Sequence, residues 1–502
     1  MKRKGLFIFV NIFLLLLTAC NTNTNSAPTG EMILNILEFN DLHGHIEQEN
    51  GKYGISNAAY LVDQIRKEDN LDNTILIANG DMFQETAISR VSYGEVVVEC
   101  MNEMQFDMMN LGNHEFDWGL EKVLKYWDGN KENGEANFPL LNANITDKNK
   151  NLIEDENILS STIVEREGIK VGLIGLIGNV YSSITANMTK DYLFDMNIDE
   201  IVETEGIKLK NDGADVIIVS IHDGESSGVD QYGVNSSLSL IKYNGEYLID
   251  AVINGHTHTM QYGELERNNG VNMPVIQSAA YYSSSGNLNS FGRIDLKIDL
   301  ATKSVMDYEC SHVNVKDAGS NKNTLVQKIV DKYYDESAAV LEEVYCQNID
   351  GFNKYNVYTQ KWINNLMMAS TGATASLFNY GGLRSDADAG ALGFKEIYNF
   401  NPFDNHIILV DISGYDLVEF YNKNNSFYFC NTIDGEIEID NTYKLAIIDY
   451  VYYGSYFKKY TKDDAIDTNI IVRDIIIEEL RYYKNTGFDI SKQYNQINIT
   501  NK

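Results

Sequence analysis

Met32-Ile33-Leu34-Asn35-Ile36-Leu37-Glu38-Phe39 runs without a break into Asn40-Asp41-Leu42-His43-Gly44-His45. The first half is short, mostly apolar and too brief for a helix that must bury a face, so it reads as a buried strand. The second half places two imidazoles and a carboxylate where that strand ends. The same grammar recurs along the first half of the chain. Thr74–Ala78, Met108–Leu111, Lys170–Ile177, Val216–Ile221 and Ala251–Ile253 are further buried-strand runs, with helical periodicity between them, as in Ala58–Glu68 and Gly94–Met104. Strands alternating with helices predict α/β layers with a mainly parallel sheet. In such a sheet the carboxyl ends of the strands gather on one edge, where ligands bind.

The residues just after each run are therefore informative. The chain has eight histidines, and six of them fall in four short segments: His43 and His45, His114, His222, and His256 with His258. With one segment that lacks His, the set is Asn40-Asp41-Leu42-His43-Gly44-His45, Gly80-Asp81-Met82-Phe83-Gln84, Gly112-Asn113-His114-Glu115-Phe116-Asp117, Ser220-Ile221-His222-Asp223-Gly224 and Gly255-His256-Thr257-His258. Each closely follows a strand run. Loops at one sheet edge would bring Asp41, His43, Asp81, Asn113, His222, His256 and His258 together. Asp, Asn and His suit borderline divalent ions such as Mn, Zn, Co or Fe. Seven ligands exceed one tetrahedral site, so two metals sharing a carboxylate are the economical arrangement.

These ordered segments resemble the signature of the calcineurin-like metallophosphoesterases, and more closely the 5'-nucleotidase / UDP-sugar hydrolase family, which includes 2',3'-cyclic nucleotide phosphodiesterases. The resemblance implies a layered α/β/β/α sandwich followed by a second, mixed α+β nucleotide-binding domain. It implies one divalent metal on Asp41, His43 and His258, another on Asn113, His222 and His256, and Asp81 bridging them. His114 and Asp117 match the family's catalytic pair. His45 is expected to act through its neighbours rather than on a metal directly, and Asp223 reads as a turn residue.

The second half extends the resemblance. Leu377-Phe378-Asn379-Tyr380-Gly381-Gly382-Leu383-Arg384, then Asn401-Pro402-Phe403, then Tyr452-Tyr453-Gly454-Ser455-Tyr456 are similar to the family's substrate-reading loops. By that likeness Phe403 and Tyr456 would clamp a base by stacking, while Asn379 and Arg384 would hold phosphate or sugar. Two departures bear on substrate identity. An Asp that the family often carries before the last aromatic is missing from Tyr453-Gly454-Ser455, and Gln360-Lys361 stands where nucleotidases tend to have a further Arg.

At the amino end, Met1-Lys2-Arg3-Lys4 precedes the apolar run Gly5 to Leu17, and Leu17-Thr18-Ala19-Cys20 resembles a bacterial lipobox. The expectation is a signal peptide over 1–19, a lipidated Cys20 and a polar tether over 20–31. Beyond the tether, the expected order is a catalytic domain over 32–315, a linker helix within 316–345 (from the apolar period of Thr324 to Val344) and a substrate-binding domain over 346–502. The chain of 502 residues carries 72 acidic and 40 basic side chains, a net charge of −32. That surface repels nucleic-acid polymers and anionic lipid, so the expected membrane contact is the lipid anchor alone. Five cysteines are too few for a disulfide framework, although a bridge outside the cell is left open, with Cys310 and Cys346 flanking the expected linker helix and Cys430 isolated. The expected activity is hydrolysis of nucleoside 5'-phosphates or nucleotide sugars at the cell surface. Two alternatives stand beside it: 2',3'-cyclic nucleotide phosphodiester hydrolysis and a non-catalytic binding lipoprotein.

Overall fold

The computed structural model describes residues 30–48, 53–68, 73–224, 234–278 and 290–499. The signal segment and Cys20 lie outside them. No helix among the described residues is long and apolar enough to cross a membrane.

Two sheets form the first half. One has seven strands in the order Ser304–Asn314, Ser290–Asp299, Glu31–Phe39, Thr74–Asn79, Met108–Asn110, Leu140–Leu141 and Ile158–Leu159. The other has six, in the order Gln261–Leu265, Met273–Gln277, Ala251–Ile253, Val216–His222, Ile169–Ile177 and Ser161–Arg166. Glu31–Phe39, Thr74–Asn79 and Met108–Asn110 pair in parallel, as do Ile169–Ile177, Val216–His222 and Ala251–Ile253. The two-residue side-chain period sorts each strand onto two cores. Leu34, Ile36, Ile75 and Ile77 pack between the sheets with Leu173, Ile218 and Ile253. Leu37, Phe39, Leu76 and Ala78 face the other way, against helices such as Ile55–Glu68. That helix turns Ile55, Ala58, Ala59, Val62 and Ile65 inward, the spacing of one helical face. Ile174 and Leu176 meet the helical layer on the far side of the second sheet. The result is the α/β/β/α sandwich.

The helix Thr324–Leu341 begins at Asn323, whose side chain caps Leu325 and Val326. It buries Val326, Val330, Tyr333 and Leu341 in the core of the first domain, so it is docked rather than free. The second domain carries a mixed five-stranded sheet in the order Tyr428–Thr432, Ala375–Asn379, Thr442–Ile448, His406–Ser413 and Ile466–Ile471, with its own apolar core. Cys100, Cys310, Cys346 and Cys430 are all free thiols.

A polar seam ties the sheets together where the site forms. Asn110 donates to the Asn79 side chain at 2.9 Å and to the Leu176 carbonyl at 3.1 Å, and Ser220 Oγ donates to Asn110 at 2.6 Å. These groups are fully buried, so a one-residue slip of either sheet would leave them unsatisfied.

Candidate metal centre and cleft

The five motif segments sit at the carboxyl ends of strands Glu31–Phe39, Thr74–Asn79, Met108–Asn110, Val216–His222 and Ala251–Ile253. Their backbones are bent hard to turn side chains inward. Asp41, His43, Asp81, His256 and His258 all have positive φ, between 51° and 74°. Non-glycine residues rarely adopt that region, and such strain persists only where the surroundings impose it. Glycines make the close approach feasible. A Cβ on Gly112 would lie 2.3 Å from Asp81 Oδ1, and one on Gly80 (φ 74°) would lie 2.6 Å from His222 Nδ1.

Three clusters of ligating atoms result: Asp41, His43 and His258; Asp81, His222 and His256; and, between them, His43, Asp81 and His114. His258 Nε2 is 3.1 Å from Asp41 Oδ1, and His222 Nε2 is 3.1 Å from Asp81 Oδ2. Asn113 joins through Oδ1, 2.8 Å from His256 Nδ1. The other ring atoms are fixed by carbonyls. His43 Nδ1 donates to Gln84 O at 3.1 Å, and His222 Nδ1 donates to Asn79 O at 2.7 Å. Each Nε2 therefore carries a lone pair aimed into the centre. His43 Nε2 faces His258 Nε2 at 2.9 Å. Asp41 Oδ1 and His222 Nε2 are buried, and the atoms that face them, His258 Nε2 and Asp81 Oδ2 at 3.1 Å each, are themselves ligating groups. Buried acceptors crowded together are costly unless a cation meets them, so the donor set fits divalent metal ions.

The electrostatics agree. Burial disfavours charge on His43, yet Glu85, Asp41 and Asp81 outweigh it and raise its pKa to about 9. His222 is likewise raised to about 10 against burial, by Asp81 and Asp41. Burial works to raise Asp41 and Asp81, but His258 and His222 respectively hold both carboxyls well below their usual range. A field that retains protons on buried imidazoles favours a metal cation in their place. His256 is pushed down to about 4 by burial and by His222, which keeps it neutral, as a ligand must be.

Beside the clusters, His114 Nδ1 donates to Asp117 Oδ2 at 2.7 Å. Its Nε2 looks across the domain boundary to Arg384 Nη2, 3.2 Å away. A cleft of about 320 Å³ opens here. From the first domain Asp81, Asn113, His114, Asp117, His256 and His258 line it; from the second, Asn379, Arg384, Phe403 and Tyr450 do. The Phe403 ring lies 5.9 Å from that of His114 and 5.2 Å from the Arg384 guanidinium. Asn379 Oδ1 is buried and has no hydrogen-bond partner among the described residues.

Tyr456 is 70% exposed and is not among the residues lining this cleft. The turn at Gly454 carries it past the end of helix Asp449–Tyr453, whose first turn presents Tyr450 instead. Asp223 takes the backbone N–H groups of Asn179 and Gly224 at 2.9 and 2.8 Å, a turn role. His45 Nε2 is 3.5 Å from Glu85 Oε2. His312 and His406 lie elsewhere, beside the Gln277 carbonyl and Asp467.

Two residues that the motifs did not single out shape the site. Glu115 is 1% exposed and accepts the backbone N–H groups of Asp81, Met82 and Gly112 at 2.8, 2.8 and 2.7 Å. Glu85 pairs with Arg384 across the domain boundary at 2.5 Å. Its signal in the sequence was a carboxylate directly after Gln84, at the end of a ligand loop.

Residues 34–260 match the calcineurin-like phosphoesterase family, and residues 349–428 match the 5'-nucleotidase C-terminal domain. The chain is 26% identical to an apyrase of Tabanus yao over 425 residues, covering 78% of this chain and 73% of that one. It is 26% identical to a 5'-nucleotidase of Vibrio cholerae over 432 residues, covering 78% and 75%. The crystal structure of a 5'-nucleotidase precursor from Thermus thermophilus superposes with a TM-score of 0.71 at 18% identity, covering 90% of this chain and 97% of that one. The fold, the Asp/His clusters and these matches agree: residues 34–260 are similar to the calcineurin-like phosphoesterases, and residues 349–428 to the 5'-nucleotidase C-terminal domain.

Proposed function

We propose that the protein hydrolyses nucleoside 5'-phosphates with two divalent metal ions, releasing phosphate and nucleoside. The observation that carries this reading is the shared cleft, in which ligating residues of one domain face Asn379, Arg384 and Phe403 of the other. Its volume suits one small ligand. The similarity to an apyrase and a 5'-nucleotidase supports the nucleotide as substrate class.

Asp41, His43 and His258 would hold one ion, Asn113, His222 and His256 the other, with Asp81 between. When bound, such ions neutralise phosphate charge and make water nucleophilic near neutral pH. Asp117 fixes the His114 tautomer, so His114 Nε2 points into the cleft and can hold or deliver a proton at the leaving oxygen. Arg384 supplies a planar cation for phosphate oxygens. Asn379 offers its side-chain amide to phosphate or sugar oxygens, and Phe403 a face for the base. We take the domain division as 32–315, 316–345 and 346–502. Cys20, after Leu17-Thr18-Ala19, supports export and lipid anchoring at the cell envelope.

A phosphate-release panel of nucleoside monophosphates, 2',3'-cyclic nucleotides and UDP-sugars, with Mn, Zn, Co and Mg in turn, tests the proposal. Release from 5'-monophosphates that requires added metal is expected. Absence of release from every 5'-phosphate with every metal would overturn it.

A further inference from the structure

Arg384 lines the cleft with one edge of its guanidinium already paired. Its Nε is 2.5 Å from Glu85 Oε1, while Glu85 Oε2 lies 3.5 Å from His45 Nε2. Lys354 Nζ donates to the Arg384 carbonyl at 2.7 Å, so a second cation borders the pair. The Glu85 side chain is 13% exposed. Burial works to raise its pKa, but Arg384, His43 and His45 hold the carboxyl well below its usual range. The backbone at Glu85 has φ 150°, in territory that glycine occupies freely and other residues rarely do. The fold thus accepts local strain to place a carboxylate against a guanidinium that itself touches His114 Nε2 at 3.2 Å.

Resting on the nucleotidase reading of the cleft, we propose that Glu85 is a resident counter-ion of Arg384 that sets substrate affinity: a phosphate oxyanion competes with it for the guanidinium charge. Glu85 is thereby a specificity-determining residue. It weakens capture of phosphate-bearing ligands and of the inorganic phosphate product, and it keeps the half-buried guanidinium paired between turnovers.

Glu85→Gly removes the carboxylate and relieves the backbone at φ 150°; Glu85→Gln keeps the side-chain shape and removes only the charge. Inorganic phosphate is titrated calorimetrically into Mn-loaded full-length protein. Both variants are expected to bind phosphate about tenfold more tightly than the parent chain. In an Arg384→Gln background the Glu85 substitutions should change nothing. Phosphate affinity in Glu85→Gly within twofold of the parent or weaker, or an equal gain without Arg384, would overturn the proposal. Phosphate release by the parent chain, measured on the same preparations, reports on the nucleotidase reading, whereas the difference between parent and variants reports on Glu85.

Discussion

Replacing Glu115 by Gln is a sharp probe of how the centre is held. The carboxylate is buried and takes three backbone N–H groups: Asp81 and Gly112 on Oε2, Met82 on Oε1. An amide has one acceptor oxygen. If that oxygen takes the Oε2 place, the new NH2 faces the Met82 N–H, and one buried donor loses its partner at about 1–3 kcal/mol. The other two bonds lose their charge assistance, at roughly 0.5–1 kcal/mol each. The sum is about 2–5 kcal/mol, and it falls on the segment that keeps Asp81 at φ 54°. Because Asp81 belongs to two of the three clusters, the expected outcome is a loss of Mn affinity by about 10–100-fold, read by calorimetric titration. Urea unfolding should also shift to lower concentration. Unchanged Mn affinity together with an unfolding midpoint like that of the parent would refute the reasoning that Glu115 positions this loop.

Three further outcomes are expected. Gly112→Ala would drive a methyl to 2.3 Å from Asp81 Oδ1; phosphate release should fall at least about tenfold while circular dichroism keeps the parent spectrum, and full activity would contradict the close approach. Phe403→Ala removes a stacking face worth about 1–3 kcal/mol, so KM for a nucleoside monophosphate should rise about 5–150-fold with a smaller change in kcat; an unaltered KM would place the base elsewhere. Removing metal with a chelator leaves Asp41 Oδ1 and His222 Nε2 unmet, so thermal unfolding should move to lower temperature and recover on adding Mn; an insensitive transition would argue against a structural role for bound ions.

The layout of the first domain was legible because buried parallel strands announce themselves as short apolar runs and here end in polar residues. Strands read over Met32–Phe39 and Val216–Ile221 emerge as Glu31–Phe39 and Val216–His222, and the helix read from Thr324 emerges as Thr324–Leu341. The candidate ligands were legible because imidazoles are scarce in this chain and cluster at strand ends. The features that stayed hidden depend on three-dimensional packing. The left-handed backbone at Asp41, His43 and Asp81 has no one-dimensional signature in non-glycine residues. Glu115 lies inside a quoted motif, yet its service to three N–H groups of two loops appears only once those loops meet. Glu85 gains its meaning from Arg384, almost three hundred residues further along the chain. In the second domain, Tyr450 rather than Tyr456 lines the cleft because a short helix and its turn decide which aromatic points inward, and a sequence with 32 tyrosines offers little to choose between them.

Carboxylates and imidazoles between Asp41 and His258 are proposed to assemble a two-ion centre around Asp81. Its most direct test is metal stoichiometry, by elemental analysis of full-length protein equilibrated with Mn, for the parent chain and for Asp81→Ala. Two ions per parent chain are expected, at most one in the variant, and loss of phosphate release with it. Two ions retained by Asp81→Ala with near-parent turnover, or none bound by the parent chain, would contradict it.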